Sequence, residues 1–189
     1  MGAPRRGGGT RRPAASTPIP STRSCPRVAA CRQALPWGAT MRVVLVCSSG
    51  GHLFQLYQLR PWWMKHDTLW VTFQKADSVS LLADENVVWA YHPTTRNLPN
   101  LLRNLFLAWR VLRSYRPSVV VSTGAGVAFP FFVIARLLGM RTVYIEVYDR
   151  IDIPTLTGRL CYPLSDLFLL QWEEQKRLYR RGRVIGPLL

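Results

Sequence analysis

Short apolar runs alternate along the chain with longer segments in which apolar residues recur every three or four positions. The short runs are β-branched and nearly free of charge, which predicts buried strands at 43–47, 68–73, 87–91, 118–122, 141–147 and 167–171. The longer segments predict helices at 52–63, 77–83, 97–115, 127–138, 154–162 and 172–179. Strands that alternate with helices favour right-handed crossovers. The pattern therefore predicts an α/β fold with a Rossmann-like parallel sheet and helices on both faces.

The first forty residues have no such pattern. They contain seven arginines, no acidic residue and many prolines and glycines, so residues 1–40 are predicted to be a disordered basic extension. Residues 41–189 are predicted to form one folded domain. Because the first strand follows Met41 directly, we expect Met41 to be the natural start of the protein.

The formal net charge of +15 indicates an anionic partner of one of three kinds: nucleic acid, a phosphorylated substrate or an acidic membrane surface. The extension supplies seven of these charges and leaves +8 on the domain, where no RNA- or DNA-binding motif is found. No nucleic-acid partner is therefore expected, although a basic nucleic-acid-binding module or another small-molecule-binding module stays the alternative. The four cysteines lack ligand or disulfide spacing, so neither a metal site nor a disulfide is predicted, and a reducing compartment is favoured.

Two loops of small residues follow predicted strands. The first is SSGGH, with Ser48, Ser49, Gly50 and Gly51 ahead of His52, and the second is STGAG, with Thr123, Gly124 and Gly126. Because ligands of open parallel sheets bind at the carboxyl ends of the strands, we expect both loops to face one crevice and to bind an anion. Neither loop has the spacing of a dinucleotide fingerprint or a Walker lysine.

Three side chains near these loops are candidates for chemistry. His52, at the start of a helix, is expected either to accept a proton as a neutral general base or merely to bond a loop carbonyl. Glu146, at a strand end expected to face the same crevice, is expected to bind sugar hydroxyls or to orient His52, or merely to pair with a neighbouring arginine. Arg150 can pair with a phosphate, whereas His66 and His92 are interpreted as ordinary surface or hinge residues.

The apolar residues 118–140 are long enough to span a bilayer, but small residues at 123–126 favour a strand followed by a helix. The helix at 97–115 combines apolar residues with arginines and contains no acid, as an interfacial membrane helix does, although a core helix with a solvated basic face has the same pattern. The residues predicted to face the membrane are Trp62, Trp63, Leu102, Arg103, Phe106, Trp109, Arg110 and Arg113.

Together the segments SSGGH, STGAG after VVV, VYIEVYDR and FLLQWEEQ resemble the PssD/CpsF polysaccharide-biosynthesis proteins and the membrane-side subunit of the dolichol-linked UDP-N-acetylglucosamine transferase. The resemblance covers about residues 41–189. It implies the acceptor-binding, N-terminal half of a GT-B glycosyltransferase that acts on a lipid-diphosphate-linked saccharide in exopolysaccharide, capsule or glycan biosynthesis.

The resemblance also assigns roles. It implies that Ser49, Gly50 and Gly51 contact the acceptor diphosphate, that His52 is a possible base, and that Glu146 is the family's strand-end carboxylate. No cofactor is implied, because the donor is a UDP-sugar bound mainly by a PssE/CpsG-like partner chain. The expected location is peripheral, on the cytoplasmic face of an anionic membrane. The apolar segment 184–189 would be costly in water, so it is expected to dock on that partner.

Overall fold

A computed structural model describes residues 40–94 and 96–189. Apart from Thr40, the predicted extension lies outside the described residues. The described part of the chain contains one parallel sheet in the order β3-β2-β1-β4-β5-β6-β7. The strands are β1 (Arg42–Val46), β2 (Asp67–Phe73), β3 (Val87–Ala90), β4 (Val119–Ser122), β5 (Arg141–Ile145), β6 (Leu167–Leu170) and β7 (Arg183–Val184).

Helices connect the strands. They are α1 (Gly51–Gln58), α2 (Arg60–Trp63), α3 (Ala76–Leu81), α4 (Leu98–Tyr115), α5 (Ala128–Leu137) and α6 (Leu156–Cys161), with 3₁₀ segments at Tyr162–Leu164 and Glu173–Arg177. The predicted helix 52–63 is divided in two at Leu59. Pro61 explains the break, because it has no N–H group to continue the hydrogen-bond ladder of α1.

Alternate residues of the strands face two separate cores, as expected for a sheet covered on both sides. Val44 and Val46 belong to the larger core under α4 and α5, whereas Val43 and Leu45 belong to the smaller core under α1 and α2. The predicted Rossmann-like fold is confirmed.

The strand β7 was not predicted. It pairs with β6, and two residues of the apolar segment 184–189, Val184 and Leu188, pack against the two cores. The expectation that this whole segment needs a partner is therefore wrong for these two residues. Ile185 and Leu189 remain exposed.

Residues 118–140 form β4 and α5, as the small residues between them predicted. Among the described residues, no helix has the length and apolar character needed to cross a membrane.

Candidate functional site

The two small-residue loops lie side by side at the carboxyl edge of the sheet. The strands that precede them, β1 and β4, are neighbours, and the strand order reverses between them. Such a reversal point is where open α/β sheets bind their ligands. The prediction that both loops share one edge is confirmed.

Two hydrogen bonds tie the loops together through His52 and Thr123. The Nδ1 atom of His52 lies 2.8 Å from the carbonyl oxygen of Thr123, and the Thr123 hydroxyl donates to the carbonyl oxygen of His52 at 2.8 Å. A carbonyl can only accept, so Nδ1 carries the proton and Nε2 is the unprotonated nitrogen. Of the two roles expected for His52, the bond to a loop carbonyl is therefore present. It also leaves Nε2 free to act as a base.

The surroundings of His52 favour the neutral imidazole. Burial lowers the pKa of His52, the bond to Thr123 and the charge of Asp149 oppose this, and Arg150 adds to the lowering. Neutral imidazole is the form that can accept a proton near neutral pH.

The glycines of the two loops differ in what surrounds them. A side chain at Gly50 or Gly51 would meet nothing within 4 Å, although Gly50 has a φ of 77°. At Gly124, with a φ of 109°, a Cβ atom would lie 2.6 Å from the Tyr144 hydroxyl, and at Gly126 it would lie 2.9 Å from Thr94. The first loop is thus open to a ligand, whereas the second packs tightly against the protein.

One backbone donor of the first loop is already engaged. The Gly50 N–H donates to the carboxylate of Asp77 on α3 at 2.6 Å. This amide is therefore occupied and not free for an anion, whereas the expected contact of the loop with a diphosphate stays a prediction. The carboxylate of α3 holds the turn that Gly50 makes.

Beside the loops lies a cavity of about 420 Å³, within the range of small-molecule sites. Its walls come from five strand–helix connections, and its lining residues are Ser48, His52, Phe73, Lys75, His92, Pro93, Thr94, Ala125, Gly126, Thr155 and Thr157. Of the predicted site residues, Ser48, His52 and Gly126 line it. Ser49, Gly50, Gly51, Thr123 and Gly124 belong to the adjoining loops, and Arg150 is exposed beside Asp149 at 3.6 Å.

The sequence did not single out the side of this cavity that contains Lys75 and His92, which we call the cationic side after Lys75. Lys75 follows β2 and His92 follows β3, so both reach the same edge as the two loops. His92 is exposed, as its interpretation as a surface or hinge residue predicted, but it also lines the cavity and its ring packs on Phe73. The signal available was position alone: each residue comes directly after a predicted parallel strand.

Helix α4 holds the wall that contains His92. Asn104 on its inner face accepts a hydrogen bond from the Tyr91 N–H at 3.0 Å and donates one to the Tyr91 carbonyl at 2.9 Å. Asn100 donates to the Pro93 carbonyl at 2.9 Å. We call these two asparagines the asparagine clamp; it fixes residues 91–94 against α4.

Glu146 lies beneath the cavity and has no exposed surface. It neither lines the cavity nor bonds His52. Its Oε1 atom accepts hydrogen bonds from the Val147 N–H and from the Thr155 hydroxyl, both at 3.2 Å. The expectations that Glu146 faces the crevice, orients His52 directly or pairs with an arginine do not match this position. Burial raises its pKa, and the Tyr179 hydroxyl and the two hydrogen bonds oppose that rise only in part.

The outer face of α4 carries an apolar stripe. Leu98, Leu102, Phe106 and Trp109 are between 40% and 70% exposed, and we call them the outer stripe. Arg103, Arg110 and Arg113 are exposed on the same helix, and the guanidinium of Arg113 lies 5.6 Å from the Trp109 ring centroid.

The tryptophan pair on α2 was predicted to face the membrane together with residues of α4, and this prediction does not hold for both residues. Trp63 is 1% exposed and packs edge-on against Trp70, so its assignment to a membrane surface is wrong. Trp62 is half-buried and packs at the edge of the smaller core. Adjacent helix positions point about 100° apart, so only one residue of such a pair faces the sheet.

Among residues 40–94 and 96–189, no three His, Cys, Asp or Glu side chains gather in a way that would hold a metal ion. Cys47 and Cys161 are buried free thiols, and burial raises the pKa of both.

The parallel sheet with helices on both faces is a Rossmann-like fold of the kind found in GT-B-type proteins. The crystal structure of Acinetobacter baumannii MurG superposes with a TM-score of 0.60 at 18% identity, over 71% of this chain and 42% of MurG. The UDP-GlcNAc 2-epimerase from Neisseria meningitidis, bound to UDP-GlcNAc, superposes with a TM-score of 0.61 at 17% identity, over 77% of this chain and 46% of the epimerase.

Sequence comparison identifies the family within this class. Residues 91–188, more than half of the chain, match the family described as "Oligosaccharide biosynthesis protein Alg14 like", and the chain belongs to this family. The human UDP-N-acetylglucosamine transferase subunit ALG14 is 28% identical over 94 residues, which are 47% of this chain and 44% of the human protein. The Eremothecium gossypii subunit ALG14 is 37% identical over 79 residues, 39% of this chain and 35% of that protein. The matched part thus spans less than half the length of these relatives.

Proposed function

We propose that this protein is the acceptor-binding, membrane-associated subunit of a two-component UDP-sugar glycosyltransferase that acts on a lipid-diphosphate-linked saccharide. The observation that carries the proposal is the cavity at the β1–β4 reversal point, with His52 held in one tautomer beside it. Membership in the Alg14-like family supports the reaction class, because relatives of this chain are named as subunits of a UDP-N-acetylglucosamine transferase.

His52 is the proposed general base. Its Nε2 atom takes the proton of the attacking acceptor hydroxyl while the acceptor oxygen forms a bond to the anomeric carbon of the sugar. The bond from that carbon to the diphosphate of UDP breaks, and the electron pair leaves with UDP. The Thr123 carbonyl holds the Nδ1 proton throughout, so the ring needs no change of tautomer before the step.

The cationic side of the cavity is the proposed site for the acceptor diphosphate. Lys75 and His92 line it together with the hydroxyl groups of Ser48, Thr94 and Thr157. Ammonium and hydroxyl groups are common phosphate ligands. The first glycine loop adjoins this side, so Ser49 and the open face of Gly51 complete the proposed diphosphate contact.

The donor half is proposed to belong to a second chain. Relatives of this chain are named as subunits of a UDP-N-acetylglucosamine transferase, and a subunit implies at least one partner chain. We propose a PssE/CpsG-like chain as the partner that binds the UDP-sugar, with no further cofactor. Exopolysaccharide or capsule biosynthesis is the proposed context in a bacterial setting.

The outer stripe and the arginines of α4 are the proposed membrane contact. Apolar side chains enter the headgroup region, and arginines attract anionic lipids. The proposed location is peripheral, on the cytoplasmic face.

The test is reconstitution. The chain is co-purified with a candidate donor-binding partner and incubated with UDP-N-acetylglucosamine and a lipid-diphosphate-linked saccharide, and transfer is followed with labelled donor. We expect transfer by the pair and none by either chain alone. Turnover by the single chain would contradict the two-component arrangement. Failure of the pair with every UDP-sugar offered would contradict the function itself.

A further inference from the structure

A buried polar cluster lies beneath the cavity wall formed by residues 155–157. It consists of Glu146, Thr155, Gly158 and Tyr179. We infer that Glu146 is a positioning residue, which holds Thr155 and through it this cavity wall, and that it does not itself react with substrate. This inference rests on the proposed function and deepens it.

The hydrogen bonds set the direction of the Thr155 side chain. Its hydroxyl donates to Glu146 Oε1 at 3.2 Å and accepts from the Gly158 N–H at 2.9 Å. Thr155 is thereby the N-cap of α6. Removal of the Glu146 acceptor leaves the hydroxyl proton without its partner and allows the group to rotate away from Gly158. Thr155 and Thr157 both line the cavity, so the carboxyl group of Glu146 shapes a surface that it does not reach.

The other carboxyl oxygen of Glu146, Oε2, occupies the space that a side chain at residue 158 would need. A Cβ atom at Gly158 would overlap Glu146 Oε2 and lie 2.5 Å from the Tyr179 hydroxyl, so only glycine fits here. Oε2 is buried and has no hydrogen-bond partner among the described residues. The Tyr179 hydroxyl borders the same space, and it can donate to Oε2 of a carboxylate or accept the proton of a carboxylic acid.

A base or nucleophile must reach the substrate, and a base must carry its lone pair to the proton that it accepts. Glu146 meets neither condition, because it has no exposed surface and faces the underside of α6. Its neighbours in sequence, Asp149 and Arg150, are the exposed charges of this segment. The carboxyl group therefore acts through Thr155.

The inference predicts that an amide can replace the acid. Glu146→Gln keeps an acceptor for Thr155 and Val147 and places an NH₂ group at the position of Oε2, whereas Glu146→Ala removes both. In the reconstituted pair we expect Glu146→Ala to raise the acceptor KM by about tenfold or more with a smaller change in kcat, and Glu146→Gln to stay within about threefold of wild type. The KM for the UDP-sugar should not change in either variant. The pH profile of kcat/KM should keep its shape, because the titrating base is His52.

A second measurement does not depend on activity. The Gly158 amide proton donates to Thr155, so its hydrogen exchange reports whether the cap is formed. We expect faster exchange in Glu146→Ala, and wild-type protection in Glu146→Gln.

The outcomes separate the two proposals. An inactive wild-type pair would contradict the proposed function and leave the exchange result as the test of the positioning role. Equal loss of kcat in the Gln and Ala variants of an active pair would show that the ionised acid takes part in the reaction and would overturn the inference. Unchanged exchange at Gly158 in Glu146→Ala would overturn it as well.

Discussion

The cavity edge of the sheet and the outer face of α4 are two candidate functional surfaces with opposite physical properties. At the edge, polar groups from distant parts of the chain satisfy one another, as His52 and Thr123 do with two reciprocal bonds. On α4, apolar side chains such as Phe106 stand in solvent with arginines around them. The first surface depends on fixed geometry, the second on composition. Damage to one should therefore leave the other intact.

The largest effect is expected at His52. His52→Ala should lower kcat of the reconstituted pair by about 10²- to 10⁴-fold while vesicle binding stays unchanged, because the proposed base is lost and α4 is untouched. Steady-state kinetics and sedimentation with anionic vesicles measure the two properties.

His52→Asn is the matched control for this prediction. Its amide N–H can still donate to the Thr123 carbonyl, but nothing replaces Nε2. An asparagine variant as slow as the alanine variant supports the base. Near wild-type turnover would mean that the imidazole only joins the two loops.

For α4 we expect the opposite result, in which vesicle binding weakens and turnover stays unchanged. Replacement of Arg103, Arg110 and Arg113 by glutamine should weaken binding to anionic vesicles by up to about a hundredfold, since each basic residue near the surface contributes about 1 kcal/mol. Turnover of a detergent-solubilised acceptor should not change. The control replaces three exposed arginines outside α4, Arg177, Arg180 and Arg183, by glutamine. This triple variant loses the same charge at another surface. Equal weakening by both triple variants would mean that net charge, not this helix, sets the affinity.

The two glycine loops should respond differently to alanine. Gly124→Ala forces a non-glycine residue to a φ of 109° and places Cβ against the Tyr144 hydroxyl, so we expect a loss of about 1–3 kcal/mol in unfolding free energy. Gly51→Ala starts α1 with open space around it and should leave stability unchanged or slightly raised. Denaturant titration of both variants measures the difference. Equal losses would show that the first loop is as constrained as the second.

Lys75 tests the cationic side of the cavity. Lys75→Ala should raise the acceptor KM by about tenfold through loss of a charge-assisted contact to phosphate, and Lys75→Arg should recover part of it. Lys65 lies before the opposite end of β2 and is exposed, so Lys65→Ala is the control. If both alanine variants behave alike, the diphosphate does not bind beside Lys75.

The smallest effect is the position of a pH limb. Only neutral His52 can accept a proton, so kcat/KM should fall as pH decreases through its pKa. Burial lowers that pKa, which places the limb below the ordinary histidine value of about 6.5. A profile of the pair from about pH 5 to 8 measures it. A limb above the ordinary value would contradict the assigned environment of His52.

The strands, the shared edge of the two loops and the position of His52 at that edge were predictable because they depend on local patterns. Lys75, His92 and Thr155 were not, since each stands alone in its own connection and only the parallel sheet brings them together. The position of Glu146 was mistaken for a related reason. A carboxylate at a strand end was expected to face the crevice, but the missing side chain of Gly158 opens a space beneath α6 that takes it instead.

The asparagine clamp fixes how far the cavity lies from the membrane surface in the proposed orientation. Asn100 and Asn104 fasten the His92 wall to the inner face of the same helix whose outer stripe is proposed to enter the bilayer. Wall and stripe are therefore separated by little more than one helix diameter, about 10 Å. In the proposed orientation, the cavity lies at a fixed distance from the headgroups, close to the level of the diphosphate of a lipid-linked acceptor. In this arrangement the protein would bind the diphosphate of its acceptor at the headgroup surface, and the hydrocarbon tail would stay in the bilayer.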